Sequence, residues 1–141
     1  MITGHFPMGA TIVVVAGLIT REGRILIAQR PEGKKRAGEW EFPGGKAEPG
    51  ETPQAALERE LMEELGVRVI VEPLLEKVEH EYPDLKVEVF FFPCTLAPGA
   101  VVERREHARI EWIEPARMTE FTFVEADRAL LPRFVAWAST R

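Results

Sequence analysis

Residues 11–18 read TIVVVAGL, β-branched and apolar at nearly every position, which predicts a strand covered on both faces. The polar turn TREG follows, and residues 24–30 (RILIAQR) predict a second strand pairing back as a hairpin. Residues 31–38 (PEGKKRAG) have no apolar period and are rich in turn formers, so they predict an exposed loop. From Pro53 to Leu65 the period changes to that of a helix. Thr52 suits the N-cap, Pro53 the first position where its missing N–H costs nothing, and Gly66 the left-handed closing residue. Leu57, Leu61 and Leu65 form one stripe, while Arg59, Glu60, Glu63 and Glu64 fall on an adjoining arc of roughly 140°. Residues 68–71 and 74–78 then alternate around Pro73, which suits an edge or a bulge. Residues 79–84 predict a turn, 86–92 (KVEVFFF) a strand broken off at Pro93, and 109–113 (RIEWI) a last short strand. Pro115 opens a polar turn toward a closing helix over 124–137, with a kink expected at Pro132.

Strands, helix, strands and a closing helix describe an α+β chain whose mixed sheet is covered by helices on both faces. At 141 residues it is expected to form one domain, 1–141. A net charge of −5 supplies no broad basic face, so a nucleic-acid polymer is excluded as a partner and free nucleotides are not. Cys94 is the only cysteine, which rules out a disulfide within the chain and a thiolate metal cluster. Residues 1–10 lack the basic start and apolar core of a signal peptide, and no apolar run reaches the ~18 residues of a membrane span. The expectation is a cytoplasmic protein with no membrane partner, acting as a monomer or homodimer.

The acidic arc carries the candidate chemistry. Carboxylates at i,i+3 and i,i+4 repel by roughly 0.2–0.5 kcal/mol per pair, so something cationic should offset the clustering. Hard divalent cations take oxygen ligands, often a few carboxylates together with substrate phosphates. Upstream, Trp40-Glu41-Phe42-Pro43-Gly44-Gly45 runs an apolar strand end into two glycines, which lets backbone approach a ligand closely. The loop 31–38 adds Lys34, Lys35 and Arg36, either a solvated turn or a clamp for phosphates. His5, His80 and His107 have no partner at metal-ligand spacing and are read as lying outside the chemistry, with contact to a phosphate as the alternative for His107.

Gly45, Glu51, Arg59-Glu60-Leu61, Glu63-Glu64 and Gly66-Val67 together resemble the signature of the Nudix hydrolases, with all nine specified positions filled across residues 45–67. AQRP, EFPGGK, the EYPD turn, EHARIEW and FVEAD resemble its MutT-type branch. The resemblance implies a Nudix α/β/α sandwich and hydrolysis of a nucleoside triphosphate to monophosphate and pyrophosphate. Mg²⁺ is the implied cofactor, with Mn²⁺ as its substitute. It places Glu60, Glu63 and Glu64 at the metal with a backbone carbonyl of Gly44 or Gly45. Arg59 would orient these glutamates and Glu51 would hold the loop against the helix. Glu106 resembles a later acidic residue that serves as ligand or general base. For the nucleotide, the resemblance points to Arg30, Phe42, Tyr82 as a stacking platform, and Asp127 at the base edge. Asp127 stands where members that favour 8-oxo-dGTP commonly carry Asn, and Leu85 where they carry Arg. The substrate is therefore read as 8-oxo-dGTP or a related dNTP, or alternatively CTP or dCTP. Another nucleoside diphosphate derivative is a further alternative, and a non-catalytic nucleotide-binding module is the remaining one.

Overall fold

The computed structural model describes residues 10–141; the expectations for His5 and for a leader over residues 1–9 lie outside them. The long strand β1 (Ala10–Arg21) is the spine. Along one edge it pairs in parallel with β7 (Leu85–Leu96), from Ala10 opposite Leu85 to Ile19 opposite Cys94. Its other edge takes β4 (Gly44–Lys46) at Val14 to Ala16, then β2 (Arg24–Gln29) at Thr20 and Arg21. β2 also pairs with β3 (Trp40–Glu41) and β8 (Arg109–Ile113). β7 also pairs with β5 (Val69–Val71) and β6 (Glu76–Glu81). One parallel pair among antiparallel ones makes the sheet mixed.

The alternation within β1 feeds two cores. Ala16 and Leu18 pack with Ile25, Ile27, Phe42, Phe91, Phe123 and Phe134 beneath a short 3₁₀ helix (Pro115–Glu120) and two helices, α2 (Glu125–Arg128) and α3 (Leu131–Ala138). Val15 and Ile19 face the other way, onto α1 (Pro53–Leu65) with its buried Leu57, Leu61 and Leu65. Helices therefore lie on both faces, in the expected α/β/α order. The bounds of α1 and its caps agree with the sequence reading: the Thr52 hydroxyl accepts from the Ala55 N–H and Gly66 is left-handed at φ 67°. Burying each of the three leucines contributes on the order of 1.5–3 kcal/mol, which fixes the rotation of α1 and hence the direction of its carboxylates. α1 also lies close to the sheet: a Cβ on Gly17 would sit 3.2 Å from Leu61 Cδ1.

Three expectations are corrected. β7 does not stop at Pro93. Pro93 and Phe91 accept through their carbonyls from Glu72 and Leu75, so the edge of Pro93 that lacks an N–H faces the loop between β5 and β6, where no ladder partner is required. The turn expected over 79–84 is shorter, because β6 runs on to Glu81 opposite Lys86. The closing helix is two helices rather than one kinked one, and Pro132 sits in the first turn of α3, where it breaks no hydrogen bond. Among the described residues no helix is long and apolar enough to cross a membrane.

Candidate active site

Two glycines set the distance between sheet and helix at the acidic arc. Gly44 and Gly45 of β4 lie opposite Ala16 and Val15 of β1. A Cβ on Gly44 would collide with the Val15 carbonyl, and one on Gly45 would collide with the Glu60 carboxylate. Only glycine lets the strand close on β1 while α1 lays Glu60 against it.

Glu64 lies on the buried side of α1 with the leucines, and is only 5% exposed. Its Oε1 has no hydrogen-bond partner. Burial first, then the neighbouring Glu60 carboxylate and the charges of Glu41 and Glu106, push its carboxyl up to about 10. A group so placed holds its proton at neutral pH unless a cation arrives to replace it. Glu60, Glu64 and Glu106 border a cleft of about 210 Å³ whose other walls include Gly44, Glu41, His107, Arg30 and Lys34. Four carboxylates and two cations thus line the same cleft, with Arg30 paired to one of them, Glu41. A larger, more open hollow of about 430 Å³ lies beside Glu58, Met62 and Arg68 on the outer side of α1, and no buried carboxylate faces it.

Arg59 holds the arc in place. Its Nε donates to Glu51 Oε2 at 2.7 Å and its Nη2 to Glu51 Oε1 at 3.0 Å, a bidentate pair. Nη2 also reaches the Lys46 carbonyl at 3.0 Å, and Nη1 reaches Glu60 at 3.4 Å and Glu63 at 3.3 Å. Glu51 is held well below the usual carboxylate range, chiefly by Arg59 and then by the Glu48 N–H that it caps. Glu63 points to solvent with its side chain 52% exposed.

A second set of residues reached the cleft without any signal along the chain. His107 is buried, with Nε2 3.0 Å from Glu41 Oε2 and 3.8 Å from Glu64 Oε1. Glu41 is in turn paired to Arg30 Nη1 at 2.9 Å. In the sequence Glu41 carries no role and His107 reads as outside the chemistry, because 66 positions separate them and only the pairing of β2 with β3 and β8 brings them together. The loop ahead of β8 is tied to the end of α1: the N–H groups of Glu103 and Arg105 donate to the carbonyls of Leu65 and Glu64, and Arg105 Nη1 donates to Met62 O. That tether carries Glu106 and His107 to the carboxylates.

The residues expected at the nucleotide divide. Arg30 lines the cleft, with Nε bonded to the Lys35 carbonyl at 2.7 Å. Asp127 is buried, its Oδ2 accepting from the Phe42 N–H at 3.4 Å; burial first and then the charge of Glu41 push its carboxyl up to about 7 against that bond. The Phe42 ring is core, centred 5.2 Å from Phe123 and 5.5 Å from Phe134, so its backbone alone faces Asp127. Tyr82 is 52% exposed beside His80 in the turn between β6 and β7. Leu85 pairs with Ala10 and Gly44 with Ala16, which puts the Tyr82 turn about 20 Å along β1 from the carboxylates at ~3.3 Å per residue. The structure does not bring Tyr82 to the cleft.

The oxygen-only donor set, the orphaned Glu64 oxygen and the glycine cradle at Glu60 fit a hard divalent cation. Among the described residues no three His, Cys, Asp or Glu side chains are already gathered as a metal-holding group. Such an ion is often bound through one or two carboxylates, with water and substrate phosphate completing its shell, so the fit stands.

Comparison with known proteins agrees with this geometry. The family model for the NUDIX domain matches residues 14–133. The chain is 36% identical over 130 residues to the CTP pyrophosphohydrolase of Escherichia coli, covering 92% of this chain and 96% of that protein. It is 41% identical over 98 residues to the 8-oxo-dGTP diphosphatase of Proteus vulgaris, covering 69% and 88%. The solution structure of the E. coli ORF135 protein superposes with a TM-score of 0.79 at 35% identity, covering 94% of each chain. With the acidic helix, its glycine turn and the sandwich all in place, the chain belongs to the Nudix family of hydrolases, in the company of its MutT-type members.

Proposed function

We propose that this chain is a nucleoside triphosphate pyrophosphohydrolase that cleaves between the first and second phosphates and releases a nucleoside monophosphate and pyrophosphate. The observation that carries the reading is the buried, unpartnered Glu64 oxygen in a small cleft that Glu60, Arg30 and Lys34 also line. Relatives named for CTP and for 8-oxo-dGTP hydrolysis support a nucleoside triphosphate substrate, and the first reading is 8-oxo-dGTP or a related dNTP, as in nucleotide-pool sanitising. CTP or dCTP is the second reading, favoured by a relative that is aligned over nearly the whole chain and by a carboxyl rather than an amide at Asp127.

Mg²⁺ is the cofactor of this reading, with Mn²⁺ as its substitute. Glu60 and Glu64 would hold it, joined by Glu63 and a carbonyl of the Gly44-Gly45 turn. When bound, such an ion neutralises phosphate oxygens and lowers the pKa of water. The side chains do the rest. Arg30 and Lys34 bind phosphate oxygens, Arg59 and Glu51 keep Glu60 aimed at the cleft, and Glu106, exposed at the rim, receives the proton of the attacking water. Asp127 reads the base edge, accepting when ionised and donating when protonated. Residues 1–141 act as one domain on free nucleotides in the cytoplasm, as a monomer or homodimer.

The test is a panel of canonical and oxidised NTPs and dNTPs with Mg²⁺, the products separated by anion-exchange chromatography. Monophosphate and pyrophosphate are expected from at least one substrate. Release of diphosphate and orthophosphate would contradict the proposed position of attack.

A further inference from the structure

His107 and Glu41 sit behind the carboxylates rather than among them. Glu41 Oε1 is ion-paired with Arg30, so Glu41 acts as an acceptor toward the imidazole. Nε2 of His107 therefore carries the hydrogen at the 3.0 Å contact with Glu41 Oε2, whichever charge the ring bears. That hydrogen is already used. Glu64 Oε1 lies 3.8 Å from the same nitrogen, beyond hydrogen-bond reach, and has no other partner. Both Glu64 and His107 are more than nine-tenths buried, so water does not fill the gap freely. A buried carboxylate swings toward the nearest donor, and here Glu41 has taken it. The imidazole is left as a wall beside Glu64, its own Nδ1 also without a partner.

We propose that His107, held by Glu41, is a positioning residue that keeps the free oxygen of Glu64 fixed and unquenched for a divalent cation. The inference rests on the reading that Glu60 and Glu64 hold that cation. It assigns to Arg30 a further part, since the bond from Arg30 Nη1 fixes Glu41 and thereby the imidazole. Partners that orient metal-binding carboxylates in this way typically govern metal affinity by about 10–100-fold.

The experiment is a titration of the full chain with Mn²⁺ alone, following the free ion by electron paramagnetic resonance, with thermal melts to establish folding. His107→Ala is expected to weaken Mn²⁺ binding by about 10–100-fold. His107→Gln, whose amide keeps one N–H for Glu41 while its second can reach Glu64, is expected to lose less than His107→Ala. Wild-type affinity in His107→Ala would overturn the proposal, and so would equal losses in the Ala and Gln variants, since packing alone would then explain the residue. If His107→Ala does not fold, Glu41→Gln decides. It is expected to weaken binding by at least about fivefold, and wild-type affinity in that variant refutes the pair. Unchanged affinity in Glu60→Gln would instead remove the cation site itself, a result distinct from a failure confined to His107.

Discussion

Arg59 grips Glu51 with two hydrogen bonds, 2.7 and 3.0 Å long, across eight residues of chain, and so joins the loop after β4 to the second turn of α1. The same guanidinium reaches Glu60 and Glu63 through its remaining donors. A lysine keeps the charge but offers one point where Arg59 offers a planar fork. Arg59→Lys is therefore expected to lower kcat/KM by about 10–100-fold while nucleotide binding without metal is unchanged. Steady-state kinetics and a metal-free binding titration check this.

The two glycines of the turn make opposite demands. Gly44→Ala drives a methyl group into the β1 backbone at Val15, and is expected to cost on the order of 1–3 kcal/mol of stability by overpacking. Gly45→Ala meets only the Glu60 carboxylate, the movable end of a side chain, so its Tm should stay near wild type while turnover falls by about tenfold or more. Denaturation and activity, measured side by side on both variants, separate the two effects.

The helix that carries the chemistry was legible because its signals are local: caps, a leucine stripe and an arc of glutamates all lie within one stretch. Although the bidentate pair with Arg59 emerges only in the fold and the Nudix resemblance assigns Arg59 to Glu60, Glu63 and Glu64, the role of Glu51 in holding the loop to the helix was legible for the same reason, through the Nudix signature. Glu41 and His107 were not, because they meet only through strand pairing, and no short-range period marks two residues that become neighbours across a sheet. The two prolines misled for a related reason. Pro93 reads as a break and Pro132 as a kink, yet a proline is harmless where its absent N–H has no partner to serve, and that depends on which edge of β7 Pro93 presents and which turn of α3 Pro132 occupies.

Asp127 gives a dependence on pH. Burial raises its carboxyl to about 7 from an ordinary value near 3.8, so the folded chain holds a proton that the unfolded chain has lost between those values. Stability from this group is present below about pH 4 and falls as pH rises through 7. Asp127→Asn, neutral at every pH, should melt higher than wild type at pH 8 and close to it at pH 4. Thermal melts across that range check the sign, and a constant difference would mean that Asp127 does not titrate in the fold.

The same residue bears on specificity. In the base-reading role proposed for it, loss of its carboxyl leaves a base donor or acceptor unpaired, at about 1–3 kcal/mol, without touching phosphate contacts. Asp127→Ala is expected to flatten the preference among bases by about tenfold to a hundredfold in kcat/KM while activity on the poorest nucleotide barely changes. A uniform loss across all nucleotides would assign Asp127 to holding Phe42 and α2 in place instead.

The central claim is that Glu60 and Glu64, pressed against the Gly44-Gly45 turn, perform the hydrolysis. Its most direct test is the turnover of Glu60→Gln with Mg²⁺ and the best substrate of the panel, on protein shown to be folded by circular dichroism. Removing one of several repelling carboxylates should leave stability equal to or slightly above wild type, and turnover should fall by at least about a hundredfold. A folded Glu60→Gln that turns over within a few-fold of wild type would contradict the assignment of this cleft.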